Sequence, residues 1–208
     1  MKKVYLLAAC MAALASQVQA QGLKGGLKGG VNLAVITNTF NLGAGFKPGV
    51  HFGGFLEAKM SEKVSFQPEL LYSAQGCTTS DMRGEPTGKV NLSYVSLPLL
   101  FNLYVGSGFH FTLGPQASVL VSAKSHEDGA GSLGGSREVD IKDEFKKGEL
   151  SVAGGLGYKF KGGIHLSARY ITGVTDINNN ELIERMRVQA GAGKMHNRLF
   201  QFSAGFSF

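Results

Sequence analysis

The 208-residue sequence has no tryptophan, only two cysteines and five prolines, and few charged residues, 17% of the chain. Each shortage removes a class of protein. A helix that crosses a bilayer needs about 20 apolar residues; beyond the N-terminal segment the most apolar stretch, Tyr94 to Val105, is shorter than that and contains Pro98. Cys77 is the only cysteine outside that segment, which excludes an intramolecular disulfide in the mature chain. Setting aside Lys2 and Lys3, 19 basic residues stand against 15 acidic ones. That surplus is small and scattered, with no basic cluster interleaved with aromatics and no recognition-helix or zinc-finger spacing, so nucleic acid is not an expected partner. Asp140-Ile141-Lys142-Asp143-Glu144 lacks the spacing and central glycine of a calcium loop. Gly131 to Gly135 lacks the lysine and the strand-to-helix setting of a phosphate loop. No cofactor and no metal is expected.

What the chain does have is glycine, 30 residues or about twice the usual ~7%, together with 14 phenylalanines and six tyrosines. Many aromatics between many tight-turn residues favour an all-β fold. Met1 to Ala20 reads as a secretory signal peptide: basic Lys2 and Lys3, an apolar run from Val4 to Ala15, and the small-x-small site Val18-Gln19-Ala20, with cleavage before Gln21. Leu7-Ala8-Ala9-Cys10 fits a lipobox, but too few apolar residues precede Cys10 for a signal core of about 7 to 15. The expected organisation is therefore a signal peptide, 1–20, and one domain, 21–208.

The last ten residues carry the clearest pattern. Phe200, Phe202, Ala204, Phe206 and Phe208 share one face of a strand, and Leu199, Gln201, Ser203, Gly205 and Ser207 the other. A soluble protein rarely leaves such a row exposed, whereas lipid accommodates it. Period-two alternation recurs over Leu27–Val35, Val50–Ala58, Val64–Ala74, Ser93–Val105, Phe109–Ala123, Leu150–Phe160 and Ile164–Thr172, which makes eight strands. A secreted chain without a spanning helix crosses lipid only as a closed barrel, and single-chain outer-membrane barrels have even strand numbers.

The connections alternate in length. Lys59–Lys63, Gly106–Gly108 and Lys161–Gly163 are short; Thr37–Lys47, Gly76–Leu92, Lys124–Gly148 and Gly173–Asn197 are long. Short periplasmic turns and long extracellular loops are the layout of an outer-membrane barrel, with both termini periplasmic. Pro68 and Pro98 fall inside strands and are expected to mark bulges or near-edge irregularities, because proline donates no ladder hydrogen bond.

Gly25-Gly26 through Gly29-Gly30-Val31-Asn32-Leu33, Gln67-Pro68-Glu69-Leu70-Leu71-Tyr72-Ser73, Tyr94-Val95-Ser96-Leu97-Pro98-Leu99-Leu100, Gly154-Gly155-Leu156-Gly157-Tyr158 and the Phe208 terminus resemble, in order and spacing, the bacterial outer-membrane β-barrel family labelled porin-family or PorT-like. The resemblance covers essentially the whole mature chain. It implies an eight-stranded antiparallel up-and-down transmembrane β-barrel in the outer membrane; one branch of the family serves a protein-secretion system. A C-terminal strand ending in Phe, here Phe200, Phe202, Phe206 and Phe208, is by the same resemblance what the insertion machinery reads.

The strand faces opposite the apolar ones carry Glu57, Glu69, Lys159 and Arg169, with Lys28, His51, His110 and His165. Unpaired buried charge is costly, so these groups are expected to meet inside the barrel, Arg169 with Glu57 or Glu69. The resulting polar plug is weighed against a proton- or ion-conducting path; an eight-stranded interior is just wide enough for its own side chains, which favours the plug. His165-Leu166-Ser167 resembles the His-x-Ser pair of lipid A deacylases, but Ala168 stands where those enzymes continue with asparagine, and the pair turns inward. The long loops are expected to be solvated, with a receptor or adhesion surface as their functional option. The sequence therefore reads as a monomeric, non-enzymatic outer-membrane barrel with a structural or surface-interaction role and at most limited solute passage. A lipid-modifying enzyme is one rival. A soluble lipocalin-like barrel is another, but it needs its apolar face inside.

Overall fold

A computed structural model of the chain describes residues 23–37, 44–80, 86–127 and 137–208; the expected signal peptide lies outside them. The strands in chain order are β1 (Leu23–Thr37), β2 (Gly45–Lys59), β3 (Val64–Ser80), β4 (Pro86–Tyr104), β5 (Phe109–Glu127), β6 (Arg137–Asp140), β7 (Gly148–Lys159), β8 (Ile164–Gly173) and β9 (His196–Ser207). A 3₁₀ turn covers Lys142–Glu144, and one helix, α1, covers Glu181–Gln189.

Every strand pairing is antiparallel, and the sheet closes on itself. From β4 the order runs through β3, β2, β1, β9, β8 and β7 to β5, and β5 pairs back onto β4. Eight strands form the ring. The ninth, β6, hangs on the far end of β5, from Lys124 opposite Asp140 to Glu127 opposite Arg137. Closure removes the free edges that would otherwise invite another chain.

Alternation decides which side chain faces where. Leu27, Val31, Phe52, Leu97, Phe101, Leu113, Val119, Leu156, Leu166, Phe202 and Phe206 stand exposed on the outer wall, while Lys28, Asn32, His51, Glu57, Glu69, Asn102, Thr112, Arg169 and Gln201 are buried inside. The oily side is thus the outside, which removes the lipocalin alternative: a soluble barrel would need the reverse.

Pro68 and Pro98 keep their strands in register, contrary to the expected bulges: Pro68 faces Leu99, Pro98 faces Gln116, and inward and outward sides continue unchanged past both. In a strand flanked on both sides each residue bonds to one neighbour or the other, so each proline still withholds one N–H: no ladder pair forms at Pro68 toward β2 or at Pro98 toward β3, and the register carries across the gap. The slips lie elsewhere. One falls on β2 between Phe46 and His51, the stretch holding Pro48. Another falls on β5, where Tyr94 faces Leu120 but Ser93 faces Ser122, so Ala123 and not Ser122 is buried beyond it.

The short connections lie at one end, and the chain terminus joins them there, where the Phe208 N–H donates to the Gly25 carbonyl at 2.9 Å. The β7–β8 turn uses Gly162 and Gly163 at φ of 104° and 91°, a region that penalises a Cβ. At the other end β4 and β5, 19 residues each, overshoot the membrane. At ~3.3 Å per residue and a tilt of ~40°, each rises about 45 Å, against an apolar band of ~25 Å.

Two apolar clusters lie inside the wall, the second of them in the overshoot. Ala34, Leu199, Ile171 and Ala153 follow one another across the β1–β9–β8–β7 ladders and pack with Leu100 of β4, which faces Gln67, forming an apolar flank that climbs one side of the lumen. Beyond it Ile36, Cys77, Leu92, Tyr94, Leu120 and Ala123 from the wall pack with Phe145, Ile177 and Met195 from the long loops. These loops are therefore not simply solvated. Their isolated apolar residues, each surrounded by charge and glycine, fold inward as a cap.

Candidate functional site

Above a vestibule at the short-turn end the interior is packed with buried charged, polar and apolar side chains. Its middle centres on Glu69, which β3 turns inward together with Ser65, Gln67 and Ser73. Arg169 of β8 grips it with both guanidinium nitrogens, Nη1 to Oε2 and Nη2 to Oε1, each at 2.8 Å. Lys28 Nζ of β1 lies 3.2 Å from both oxygens, and Gln67 Nε2 donates at 2.6 Å. The side chains of Glu69, Lys28 and Arg169 are at most 3% exposed. The planar fork of arginine matches a carboxylate bidentately, and a carboxylate so desolvated is stable only when it is this fully satisfied.

Neutral polar groups surround this triad. Thr112 donates to Asn102 at 2.8 Å, and Asn102 to Gln67 at 2.8 Å. Asn32 donates to Ser73 at 3.0 Å, and His51 Nε2 lies 2.8 Å from Ser203 Oγ. These bonds link β1, β2, β3, β4, β5 and β9 across the lumen, so the interior also fixes strand register.

Toward the short-turn end a second carboxylate, Glu57, accepts from Lys159 Nζ at 2.6 Å, Tyr104 OH at 2.6 Å and Ser65 Oγ at 2.9 Å. Beneath it opens a vestibule of about 700 Å³, bordered by Lys24, Lys59, Glu62, Tyr104, Lys159 and Phe208. The structure therefore brings Arg169 to Glu69 and Lys159 to Glu57.

A third buried carboxylate was not singled out from sequence. Glu149 of β7 accepts from Asn197 Nδ2 at 2.7 Å, and the same amide donates to Tyr94 OH at 3.1 Å. The signal for it was available, since Glu149 shares the inward parity of Ser151 and Ala153.

The cap is held by polar joints as well as by its apolar core. Asp176 accepts from the Asn178 N–H at 3.0 Å, the Arg187 guanidinium at 3.1 Å and the Met195 N–H at 3.2 Å. Burial alone would raise its carboxyl pKa, but these three donors outweigh it and hold the group below its ordinary value. Asn180 caps α1 by accepting from the Leu182 and Ile183 N–H groups. Asn179 donates to the Asp143 carbonyl at 2.9 Å and Phe145 bridges Asn178, so the two longest loops are stitched together over the mouth.

His165 and Ser167 do face the lumen side. The His165 ring lies edge-on to Phe55 with centroids 4.7 Å apart, and its buried Nε2 has no hydrogen-bond partner among the described residues. Nucleophilic catalysis needs that nitrogen within reach of the serine and an acid orienting the ring. Phe200, Phe202, Phe206 and Phe208 stand on the outer wall, 42 to 71% exposed.

A closed antiparallel barrel with an apolar exterior and a charged, paired interior is a transmembrane barrel, since closure satisfies every backbone group inside lipid. Residues 16–179 match the model of the outer membrane protein β-barrel domain, and the chain belongs to that family, a family of the bacterial outer membrane. Among solved structures the fold is similar to Neisserial surface protein A, at 12% identity and a TM-score of 0.55, over 90% of this chain and 100% of that one. The Ail attachment invasion locus protein of Yersinia pestis aligns over 90% of this chain and 99% of its own at 11% identity, with a TM-score of 0.49. At such identities the likeness concerns fold alone. No protein of curated function matches the sequence.

Proposed function

We propose that this protein is a closed, non-enzymatic barrel that works by presenting the folded cap at its long-loop end to the outside of the cell, with both termini in the periplasm. The observation that carries the reading is the filled lumen. A solute entering from the vestibule meets the Glu57–Lys159 pair, then the Glu69 triad with Leu100 alongside, then Ile171, Leu199 and Ala34, and finally the stitched cap. Two buried ionic clusters, the apolar flank beside them and the apolar core of the cap leave no continuous path of one character for water, ions or hydrocarbon. The length of β4 and β5 supports the same reading, because their ends lift the cap clear of the membrane.

In this reading the barrel is a monomer in contact with outer-membrane lipid, and its C-terminal phenylalanine row is what the insertion machinery binds during assembly. Planar-bilayer recording of the purified mature protein tests closure. The expectation is no steady conductance; large, long-lived channels would overturn it. Protease added to intact cells tests orientation and is expected to cut at the long loops, not at the short turns.

A further inference from the structure

The outer wall carries one feature that an even coat of apolar side chains does not explain. Near the long-loop end a crevice of about 330 Å³ crosses β2, β1, β9 and β8, lined by Val35, Thr37, Phe46, Tyr170, Arg198 and Phe200. Phe200 forms its floor, and the rings of Phe46 and Tyr170 stand on either side with centroids 6.4 and 5.0 Å from it. Phe46 is 57% exposed, so it is a wall facing the surroundings and not part of the packed interior. Arg198 sits at the upper end, between Val35 of β1 and Thr172 of β8 in the ladders. It is exposed and pairs with no acid among the described residues.

Height gives this arrangement its meaning. Arg198 lies ten residues before Phe208 on β9, and the outward positions between them are Phe200, Phe202, Ala204, Phe206 and Phe208. At ~3.4 Å per residue and a tilt of ~40°, Arg198 is about 26 Å above the short-turn rim, the height of the ~25 Å apolar band. The crevice thus lies in hydrocarbon and its cation at headgroup level. A guanidinium fork fits two oxygens of a phosphate, and the aromatic slot beneath takes an acyl chain.

We propose that this crevice binds one lipid A molecule of the outer leaflet, with a phosphate on Arg198 and an acyl chain between Phe46 and Tyr170. The choice of leaflet rests on the orientation given above, with the long loops outward; phosphorylated lipid A is the anionic lipid of that leaflet, whereas phospholipids face the periplasm. Lipid bound at this one place pins β9, the last strand, against β8 and β1.

Native mass spectrometry of the mature protein released from detergent micelles tests the site, with bis-phosphorylated lipid A, fully dephosphorylated lipid A and phosphatidylglycerol as separate probes. One tightly held lipid A is expected. Arg198→Gln should weaken it at least tenfold, Phe46→Ala severalfold, and Lys124→Gln, a cation exposed elsewhere at the same end, should leave it unchanged. Heat-modifiable gel migration checks that each variant is folded, and both crevice residues lie on the outer surface. Equal binding of dephosphorylated lipid A, or unchanged binding in both Arg198→Gln and Phe46→Ala, overturns the site. Tighter binding of phosphatidylglycerol than of lipid A, lost in Arg198→Gln, overturns both the lipid assigned and the orientation. A conducting barrel that still takes up lipid A through Arg198 overturns only the closed-barrel reading.

Discussion

Glu69→Gln preserves the shape of the side chain at the centre of the lumen and deletes the negative charge facing Lys28 and Arg169. In the native barrel both cations lie within 3.2 Å of that carboxylate, and all three side chains are at most 3% exposed. At an effective dielectric of about 20, a unit pair 4 Å apart is worth about 4 kcal/mol. The variant loses two such attractions and leaves Lys28 and Arg169 facing each other across an amide. Desolvation already spent on the carboxylate offsets part of this, so the expected net loss is the ~3–5 kcal/mol found when one member of a buried pair is removed. Against a total stability of ~5–15 kcal/mol, that loss is readable. Urea unfolding of the refolded barrel in lipid vesicles, followed by far-ultraviolet circular dichroism and heat-modifiable migration, measures it. Adding Arg169→Gln should recover part of the loss, because one uncompensated cation replaces two. A single-variant loss below about 1 kcal/mol, or a double variant no more stable than Glu69→Gln, would refute the account of the triad as a desolvated pair. The cap lies beyond Glu69, so planar-bilayer recording of the variant is expected to show no steady conductance.

Phe145→Ala should empty the centre of the cap at a cost of up to ~3–5 kcal/mol, read as faster proteolysis of the long loops; cleavage at the native rate would refute the packing. Gly53→Ala should obstruct folding, because a Cβ there runs into the Leu70–Leu71 backbone, with the Leu71 Cα at 2.9 Å, whereas one at Gly106 meets nothing within 4 Å. Gly106→Ala should therefore migrate as folded and Gly53→Ala should not. The lowered Asp176 carboxyl predicts a pH dependence of the cap. A group whose pKa falls on folding stabilises fully above its unfolded value, near 3.8, and loses that contribution as pH drops through the folded value. Protease sensitivity around α1 should thus stay flat at neutral pH and rise only below about pH 4. Asp176→Asn should loosen the cap at neutral pH and abolish the acid dependence.

The barrel wall was readable because lipid on one side and a narrow polar lumen on the other force a strict alternation. Phe202 out and Gln201 in, or Leu166 out and Arg169 in, follow from parity alone. Partner choice in the lumen was only half readable: parity put Glu57, Glu69, Lys159 and Arg169 in one space, but which acid met which cation depends on strand stagger, which no single strand encodes. Bulge positions misled for a related reason. A proline announces a missing N–H, not whether the strand must slip to lose it, so Pro68 and Pro98 each leave a gap in one ladder without a change of register, while the extra residue at Val121 bore no mark. The cap was opaque because Phe145, Ile177 and Met195 are single apolar residues in three separate stretches, and only the closed mouth brings them together.

The paired charges also bear on why the interior of this barrel contains charge at all. A wholly apolar filling would suit any strand stagger that kept the oily residues inside, because dispersion contacts are nearly indifferent to register. The Glu69 triad is not indifferent. It needs β1, β3 and β8 at one mutual height, within the few tenths of an ångström that a bidentate contact tolerates. A shift of two residues along β8 keeps Phe-rich and polar faces correct and still moves Arg169 nearly 7 Å from its partner. The charged cluster therefore penalises the misregistered barrels that alternation alone permits, and Leu100, Ile171 and Leu199 packed beside it exclude water that would weaken that penalty. Register fixed in this way propagates up β4 and β5 to the mouth, where Phe145, Ile177 and Met195 meet the wall only if every strand ends at its proper height.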